Sequence, residues 1–122
     1  MFKKQFFPEA TIKAIATDQT VYEKGLELYE NHRVKNLSLN EEQRSVEFII
    51  KDDSEVTSLL SFKENGLAEK YSCNCLDFQK QRGACRHVIT SMIHLNTYNQ
   101  EEFDALGREE TFYIDKEGAS YL

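Results

Sequence analysis

All three cysteines of this 122-residue chain lie in one short segment, together with a histidine. The segment, YSCNCLDFQKQRGACRHVI at residues 71–89, has the pattern Cys-x-Cys, nine residues, Cys-x-His. Structural zinc sites are tetrahedral, and their four protein ligands are thiolate sulfurs and imidazole nitrogens. The pattern therefore predicts that one Zn²⁺ ion is bound by Cys73, Cys75, Cys85 and His87.

The spacing within each pair indicates where its two ligands must lie. Residues two apart on an extended strand point to the same side, so Cys73 and Cys75 can share one metal ion. Residues two apart on a helix point in nearly opposite directions. Cys85 is therefore expected just before a helix, with His87 in the first turn. We expect His87 to donate its other ring N–H to Asp77 or to a backbone carbonyl.

Two segments with helical periodicity precede the cysteines. Apolar residues recur at helical spacing in residues 8–17 and in residues 20–34, which predicts two N-terminal helices. Thr20 and Glu23 have the spacing of a capping box at the start of the second helix. Glycine inside a helix costs about 1 kcal/mol relative to alanine, so Gly25 indicates that another element packs closely there.

From Val34 onward the apolar period changes from about 3.6 residues to 2, which predicts β-strands. Three alternating runs extend to Phe62, and an Asn-Gly pair at 65–66 predicts a hairpin into a fourth strand that ends at Cys73. Apolar residues then follow one face of a third helix over residues 85–97. We therefore predict an α+β fold with two N-terminal helices, a four-stranded antiparallel meander and a zinc-tethered C-terminal helix.

The length of the chain is that of one domain, and its charge is unevenly distributed. The net charge is −6, and residues 98–122 account for −5 because they contain seven acidic and two basic residues. We therefore predict a zinc-binding domain over residues 1–97, with its finger core at 71–97. Residues 98–122 are predicted to be an acidic tail or linker.

The cysteine region itself is basic. Residues 70–94 contain four basic residues and one acidic residue, a local charge of +3. Lys80, Arg82 and Arg86 are the candidates for contacting nucleic-acid phosphates. Three or four such contacts give weak binding that depends strongly on salt. A solvated surface explains the same charges equally well, so this alternative stays open.

The composition also bears on the cellular compartment. No apolar segment is long enough to span a membrane, and residues 1–10 lack the features of a secretory signal. An odd number of cysteines fits a reducing compartment, where thiolates bind metals, better than a disulfide framework. We therefore expect a cytoplasmic protein without a membrane partner.

The cysteine segment resembles the SWIM zinc finger, whose family pattern is Cys-x-Cys, a variable connection and Cys-x-His. The similarity includes the CLDF sequence after the first pair, the apolar helix after Arg-His and the upstream helix and strand, and it covers residues 20–97. The family commonly has a proline where this chain has Leu76. The resemblance implies that the zinc ligands are Cys73, Cys75, Cys85 and His87.

The resemblance also implies a function in recognition. SWIM fingers contact DNA or protein partners, and bacterial ones are commonly the N-terminal part of helicase-like ATPases of the SWI/SNF class. The implied function is an accessory domain whose C-terminal motor domains are absent from this chain. The chain has no G-x-x-x-x-G-K-[ST] motif, so no ATP hydrolysis is expected of it. The alternatives are a free-standing protein-interaction adaptor with a structural zinc and an enzyme with a reactive thiol.

Overall fold

The structure, a computed structural model, describes residues 3–80, 83–106, 111–114 and 120–121. Helices and strands appear in the order α1 (Glu9–Ile15), α2 (Gln19–Glu30), β1 (Val34–Asn40), β2 (Ser45–Lys51), β3 (Glu55–Phe62) and β4 (Ala68–Cys73). They are followed by α3 (Leu76–Lys80), α4 (Arg86–Leu95), α5 (Gln100–Leu106), β5 (Thr111–Ile114) and β6 (Ser120–Tyr121). None of the helices in these described ranges is long and apolar enough to cross a lipid bilayer.

Strands β1 to β4 form the predicted antiparallel meander. In β3, alternate side chains are buried, namely Val56, Ser58, Leu60 and Phe62. Val46 of β2 lies opposite Leu60 and is also buried. One face of the meander therefore forms the core, as the period of two predicts. The predicted combination of N-terminal helices, meander and following helix is confirmed.

Two further strands extend the sheet at its β1 edge. The strand order is β4-β3-β2-β1-β5-β6, and β5 is antiparallel to β1, with Phe112 paired with Leu37. Helix α5 also lies in this C-terminal segment, and its Phe103 and Leu106 are buried. These elements were not predicted for residues 98–122. The boundary between a domain and a tail or linker at residue 97 stays a prediction.

Helix α2 begins at a different cap from the one predicted. The Oδ1 atom of Asp18 accepts a hydrogen bond of 2.9 Å from the backbone N–H of Val21, so Asp18 is the N-cap residue. The predicted capping box of Thr20 and Glu23 is wrong, because both residues lie within the helix that has already begun at Gln19.

Helix α4 packs between α2 and the sheet, and Gly25 permits its close approach to α2. A Cβ atom at Gly25 would lie 2.6 Å from Cγ2 of Ile89 and 2.9 Å from the backbone oxygen of Arg86. The hydroxyl of Thr90 donates a 2.8 Å hydrogen bond to the backbone oxygen of Gly25. The predicted close packing at this glycine is therefore confirmed.

The segment that precedes α1 is fastened to the end of α4. The backbone N–H of Phe7 donates to Oδ1 of Asn96 at 2.8 Å, and Nδ2 of Asn96 donates to the backbone oxygen of Phe7 at 2.7 Å. The side chain of Phe7 is buried in the core. The amide of Asn96 thus pairs with Phe7 as a peptide group of a neighbouring strand would. We call this pair of hydrogen bonds the Phe7–Asn96 clasp.

Candidate metal centre

The end of the meander and the start of α4 bring the two ligand pairs together. Cys73 ends β4, Cys75 follows two residues later, Cys85 directly precedes α4, and His87 lies in the first turn of α4. The three sulfur atoms and a ring nitrogen of His87 all lie within 4.8 Å of one another. The predicted placement of Cys85 before the helix and of His87 in its first turn is therefore confirmed.

The distances among these atoms fit a tetrahedral zinc ion. Nδ1 of His87 lies 3.6 Å from Sγ of Cys73 and 3.8 Å from Sγ of Cys85. Standard zinc–sulfur and zinc–nitrogen bond lengths with tetrahedral angles give sulfur–nitrogen separations of about 3.6 Å. Three thiolates and one imidazole are also a common ligand set of structural zinc. The four side chains therefore form a site for Zn²⁺.

The segment between the two ligand pairs is anchored at both ends. At its start, the backbone N–H of Phe78 donates to Sγ of Cys75 at 3.3 Å, and the Phe78 ring packs edge-on against Tyr71 with centroids 6.2 Å apart. At its end, the backbone N–H of Ala84 donates to the backbone oxygen of Ile15 at 3.1 Å. These contacts place the second ligand pair beside the first.

The second ring nitrogen of His87 contacts Asp52, a partner that was not predicted from the sequence. Nε2 lies 2.9 Å from Oδ2 of Asp52, a residue of the turn between β2 and β3. Both predicted alternatives, Asp77 and a backbone carbonyl, are therefore wrong, and Oδ2 of Asp77 instead accepts a 2.7 Å hydrogen bond from Nη1 of Arg86. The contact at Nε2 leaves Nδ1 of His87 facing the sulfur atoms.

The topology of the meander contains a signal that could have identified Asp52. Strands β3 and β4 are antiparallel, with Ser58 paired with Cys73, so β3 begins at the end of the sheet where β4 finishes. The backbone N–H of Asn74 donates to the backbone oxygen of Thr57 at 3.1 Å and continues this alignment. The turn before β3 must therefore lie beside the cysteines, although it is remote from them in sequence.

Arg86 links the two carboxylates that surround the site. Its Nε donates to Oδ2 of Asp52 and its Nη1 to Oδ2 of Asp77, both at 2.7 Å. Of the other two candidates for phosphate contact, Lys80 is exposed at the end of α3, and Arg82 lies outside the described residues. A nucleic-acid role for these three residues stays a prediction.

The four ligands strongly affect one another's protonation. A hydrogen bond with Cys73 lowers the pKa of Cys85 to about 4, although burial acts in the opposite direction. The same bond, together with burial, raises the pKa of Cys73, and burial raises the pKa of Cys75. Burial opposes protonation of His87, but its contacts with Cys85 and Asp52 outweigh burial and raise its pKa. Zinc must displace protons from these ligands, so its affinity rises with pH.

Another histidine of α4, His94, lies outside the ligand cluster. Its ring packs edge-on against those of Tyr29, Phe48 and Tyr98, with centroids 5.5 to 6.3 Å apart. The hydroxyl of Tyr98 lies 3.3 Å from its Nε2. His94 is therefore a polar member of the aromatic core.

Comparison with known families agrees with this site. Residues 56–96 match the family model of the SWIM zinc finger, and the matched region includes all four ligands. No match was found among curated proteins or among solved structures. The SWIM zinc finger is a non-catalytic module, and the match together with the clustered ligands identifies zinc as the cofactor of this site.

Proposed function

We propose that the protein is a structural zinc module that recognises a macromolecular partner. The observation that carries this proposal is the grouping of four protein ligand atoms within 4.8 Å of one another. Four protein ligands complete a tetrahedral zinc ion, whereas a catalytic zinc keeps one position open for water or substrate. Zinc at this site joins the end of β4 to the start of α4, so its binding energy contributes to folding.

The surface beside the zinc ligands favours a protein as the partner. A groove of about 350 Å³ lies there, and its lining includes the carboxylates of Asp53 and Glu55. Leu76 lines the same groove and is 67% exposed. Acidic and apolar side chains together complement a protein surface that carries lysine or arginine beside apolar residues. The same carboxylates repel nucleic-acid phosphates.

DNA is the second candidate partner, and exposed Lys80 together with the +3 charge of residues 70–94 supports it. Arg86 adds little to this attraction, because its guanidinium already pairs with Asp52 and Asp77. The few phosphate contacts that remain would give weak binding with a marked salt dependence.

We also propose that the module acts beside ATP-dependent motor domains of the SWI/SNF class, in the cytoplasm. The resemblance to SWIM fingers supports the motor, and the odd number of cysteines supports a reducing compartment. The alternative is a free-standing adaptor with the same structural zinc. Cross-linking in the source cells distinguishes these two functions. An accessory domain should cross-link to an ATPase that has a nucleotide-binding motif, whereas a free-standing adaptor should not.

Elemental analysis of protein purified without added metal tests the structural zinc. We expect about one zinc ion per wild-type chain and loss of that ion in Cys85→Ala, because three ligands bind zinc much less tightly than four. The free energy of unfolding is measured on the same samples. Loss of a structural zinc ion should lower it, whereas loss of a surface contaminant should not. A folded, metal-free wild type would contradict the proposal.

Two matched variants distinguish the partners. DNA binding is measured by fluorescence anisotropy at about 0.1 M salt, where surface charges act only over about 10 Å. Binding that disappears in Lys80→Ala/Arg82→Ala, with zinc retained, would favour DNA. A cross-linked protein that is lost in Asp53→Lys/Glu55→Lys but kept in Lys80→Ala/Arg82→Ala would favour the acidic groove. If both variants still capture the same protein, the acidic groove is not the binding surface.

A further inference from the structure

We infer that Asp52 is a positioning residue for the zinc site, because its carboxylate holds His87 in the tautomer that presents Nδ1 to the metal. This inference rests on the proposed binding of zinc by the four clustered ligands. It concerns a side chain 35 residues before His87 that is not itself one of those ligands.

The contacts of the two ring nitrogens carry the inference. Nε2 of His87 lies 2.9 Å from Oδ2 of Asp52, while Nδ1 lies 3.6 Å and 3.8 Å from the sulfurs of Cys73 and Cys85. A carboxylate only accepts hydrogen bonds, so this contact requires the proton on Nε2. A neutral imidazole then has its lone pair on Nδ1, which is the nitrogen that faces the sulfurs.

The surroundings of Asp52 hold its carboxylate in place. Its Oδ2 also accepts a 2.7 Å hydrogen bond from Nε of Arg86, the residue before His87. Its backbone N–H donates to the backbone oxygen of Ser54 at 3.0 Å and closes the turn. The side chain is only 19% exposed. Asp52 is therefore oriented by the fold before a metal binds, which lowers the cost of ordering His87.

Arg86 keeps this arrangement from accumulating negative charge. Zinc with three thiolates and a neutral imidazole carries a net charge of −1, and Asp52 adds another. The guanidinium of Arg86 contacts Asp52 directly and places a positive charge beside the centre. Asp77 contacts Nη1 of Arg86 rather than the His87 ring and is 53% exposed, so it orients His87 much less.

Zinc affinity, measured by chelator competition, tests the roles of Asp52 and Asp77. Loss of a hydrogen-bonding partner of a metal ligand typically reduces affinity about 10- to 100-fold, and we expect this for Asp52→Ala. Asp52→Asn should lose less, because an amide oxygen still accepts the Nε2–H bond. Asp77→Ala should stay within about threefold of wild type. The matched control is Asp53→Ala, which removes the adjacent exposed carboxylate of the same turn and should leave the zinc affinity unchanged.

The tautomer of His87 provides a readout that a purely structural role would not change. In ¹⁵N NMR spectra of the zinc-loaded wild type, we expect Nδ1 bound to metal and a slowly exchanging proton on Nε2. In Asp52→Ala that proton should exchange rapidly. Circular dichroism checks that each variant is folded, and the near-isosteric Asp52→Asn serves as the conservative control. Coordination through Nε2 in the wild type would overturn the inference.

Failure of this inference and failure of the zinc proposal give different results. A wild type that binds one zinc ion as tightly as Asp52→Ala does would overturn the role of Asp52 and leave the zinc module intact. A wild type that binds no zinc would overturn both.

Discussion

Two histidines at opposite ends of α4 differ sharply although both are buried. His87 is 2% exposed and lies among sulfurs and the carboxylate of Asp52, whereas His94 is 8% exposed and lies among aromatic rings. The pKa of His87 is raised by its contacts with Cys85 and Asp52, which outweigh burial. Burial lowers the pKa of His94 to about 4. The same residue type on one helix thus lies in the candidate zinc site at one end and in the aromatic core at the other.

The contrast arises from the elements that each end of α4 meets. The first turn meets the end of β4 and the turn between β2 and β3, which supply polar groups. The last turn meets Tyr29 of α2, Phe48 of β2 and Tyr98 beyond the helix. Burial alone therefore does not separate a ligand from a core histidine, but the neighbouring side chains do.

Replacing each histidine in turn tests the contrast most directly. We expect His87→Ala to lower the zinc content from about one ion per chain to about zero, because it removes one of four tetrahedral ligands. Its free energy of unfolding should fall by several kcal/mol, since structural zinc contributes on the order of 10 kcal/mol in small modules. His94→Phe should keep its zinc. Elemental analysis of both variants checks this, and equal zinc contents would remove the contrast.

The acid sensitivity of His94 is the next largest effect. The pKa of His94 falls from its ordinary value of 6.5 to about 4 in the folded chain, because burial disfavours the charged ring. Between these values the unfolded chain binds a proton that the folded chain does not. The free energy of unfolding should therefore decrease by about 3 kcal/mol as the pH falls from 6.5 to 4.

Urea unfolding across this pH range measures the effect, with His94→Phe as the control. Acid also releases zinc in both proteins, so the difference between them isolates His94. We expect the pH dependence of wild type to exceed that of His94→Phe by the stated amount. Parallel pH profiles would show that His94 does not titrate in this range.

A smaller effect is expected from Gly25→Ala, which presses on α4 near its metal-binding end. The new Cβ would lie 2.6 Å from Cγ2 of Ile89 and 2.9 Å from the backbone oxygen of Arg86. Overpacking costs about 1–3 kcal/mol, and the higher helix propensity of alanine returns up to about 1 kcal/mol. We expect a net loss of about 1–2 kcal/mol in the free energy of unfolding.

The contacts with Ile89 and Arg86 lie near the first turn of α4, so we expect Gly25→Ala to affect the zinc site rather than His94. Zinc affinity should fall in Gly25→Ala while the titration of His94 stays unchanged. The control is Lys24→Ala, an exposed neighbouring position on α2, which should change stability by less than about 0.5 kcal/mol. A shift of the His94 titration in Gly25→Ala would show that the two ends of α4 are coupled.

The features predicted correctly from sequence are those encoded by residues close together in the chain. The alternation of β3 indicates a strand with one buried face, and the burial of Leu60 and Phe62 agrees with it. The ligand set depends on two short pairs, Cys73 with Cys75 and Cys85 with His87, whose spacing limits the local geometry. A period or a spacing of two residues needs no knowledge of the rest of the fold.

The features that were missed depend on contacts between distant segments. Asp52 reaches His87 only because the meander aligns its turn with the end of β4. The pairing of β5 with β1 joins residues more than 70 positions apart, from Phe112 to Leu37, and no local period reports it. The prediction of the α2 cap failed for another reason. Asp18 and Thr20 are both of types that cap helices well, and the local sequence does not show that the helix begins directly after Asp18.

The Phe7–Asn96 clasp has a consequence for the order of events during synthesis. Its two partners are 89 residues apart, and at about 5–20 residues per second several seconds pass between their emergence from the ribosome. During that interval the apolar ring of Phe7 has no finished core to enter. The segment before α1 is therefore made early but docks late.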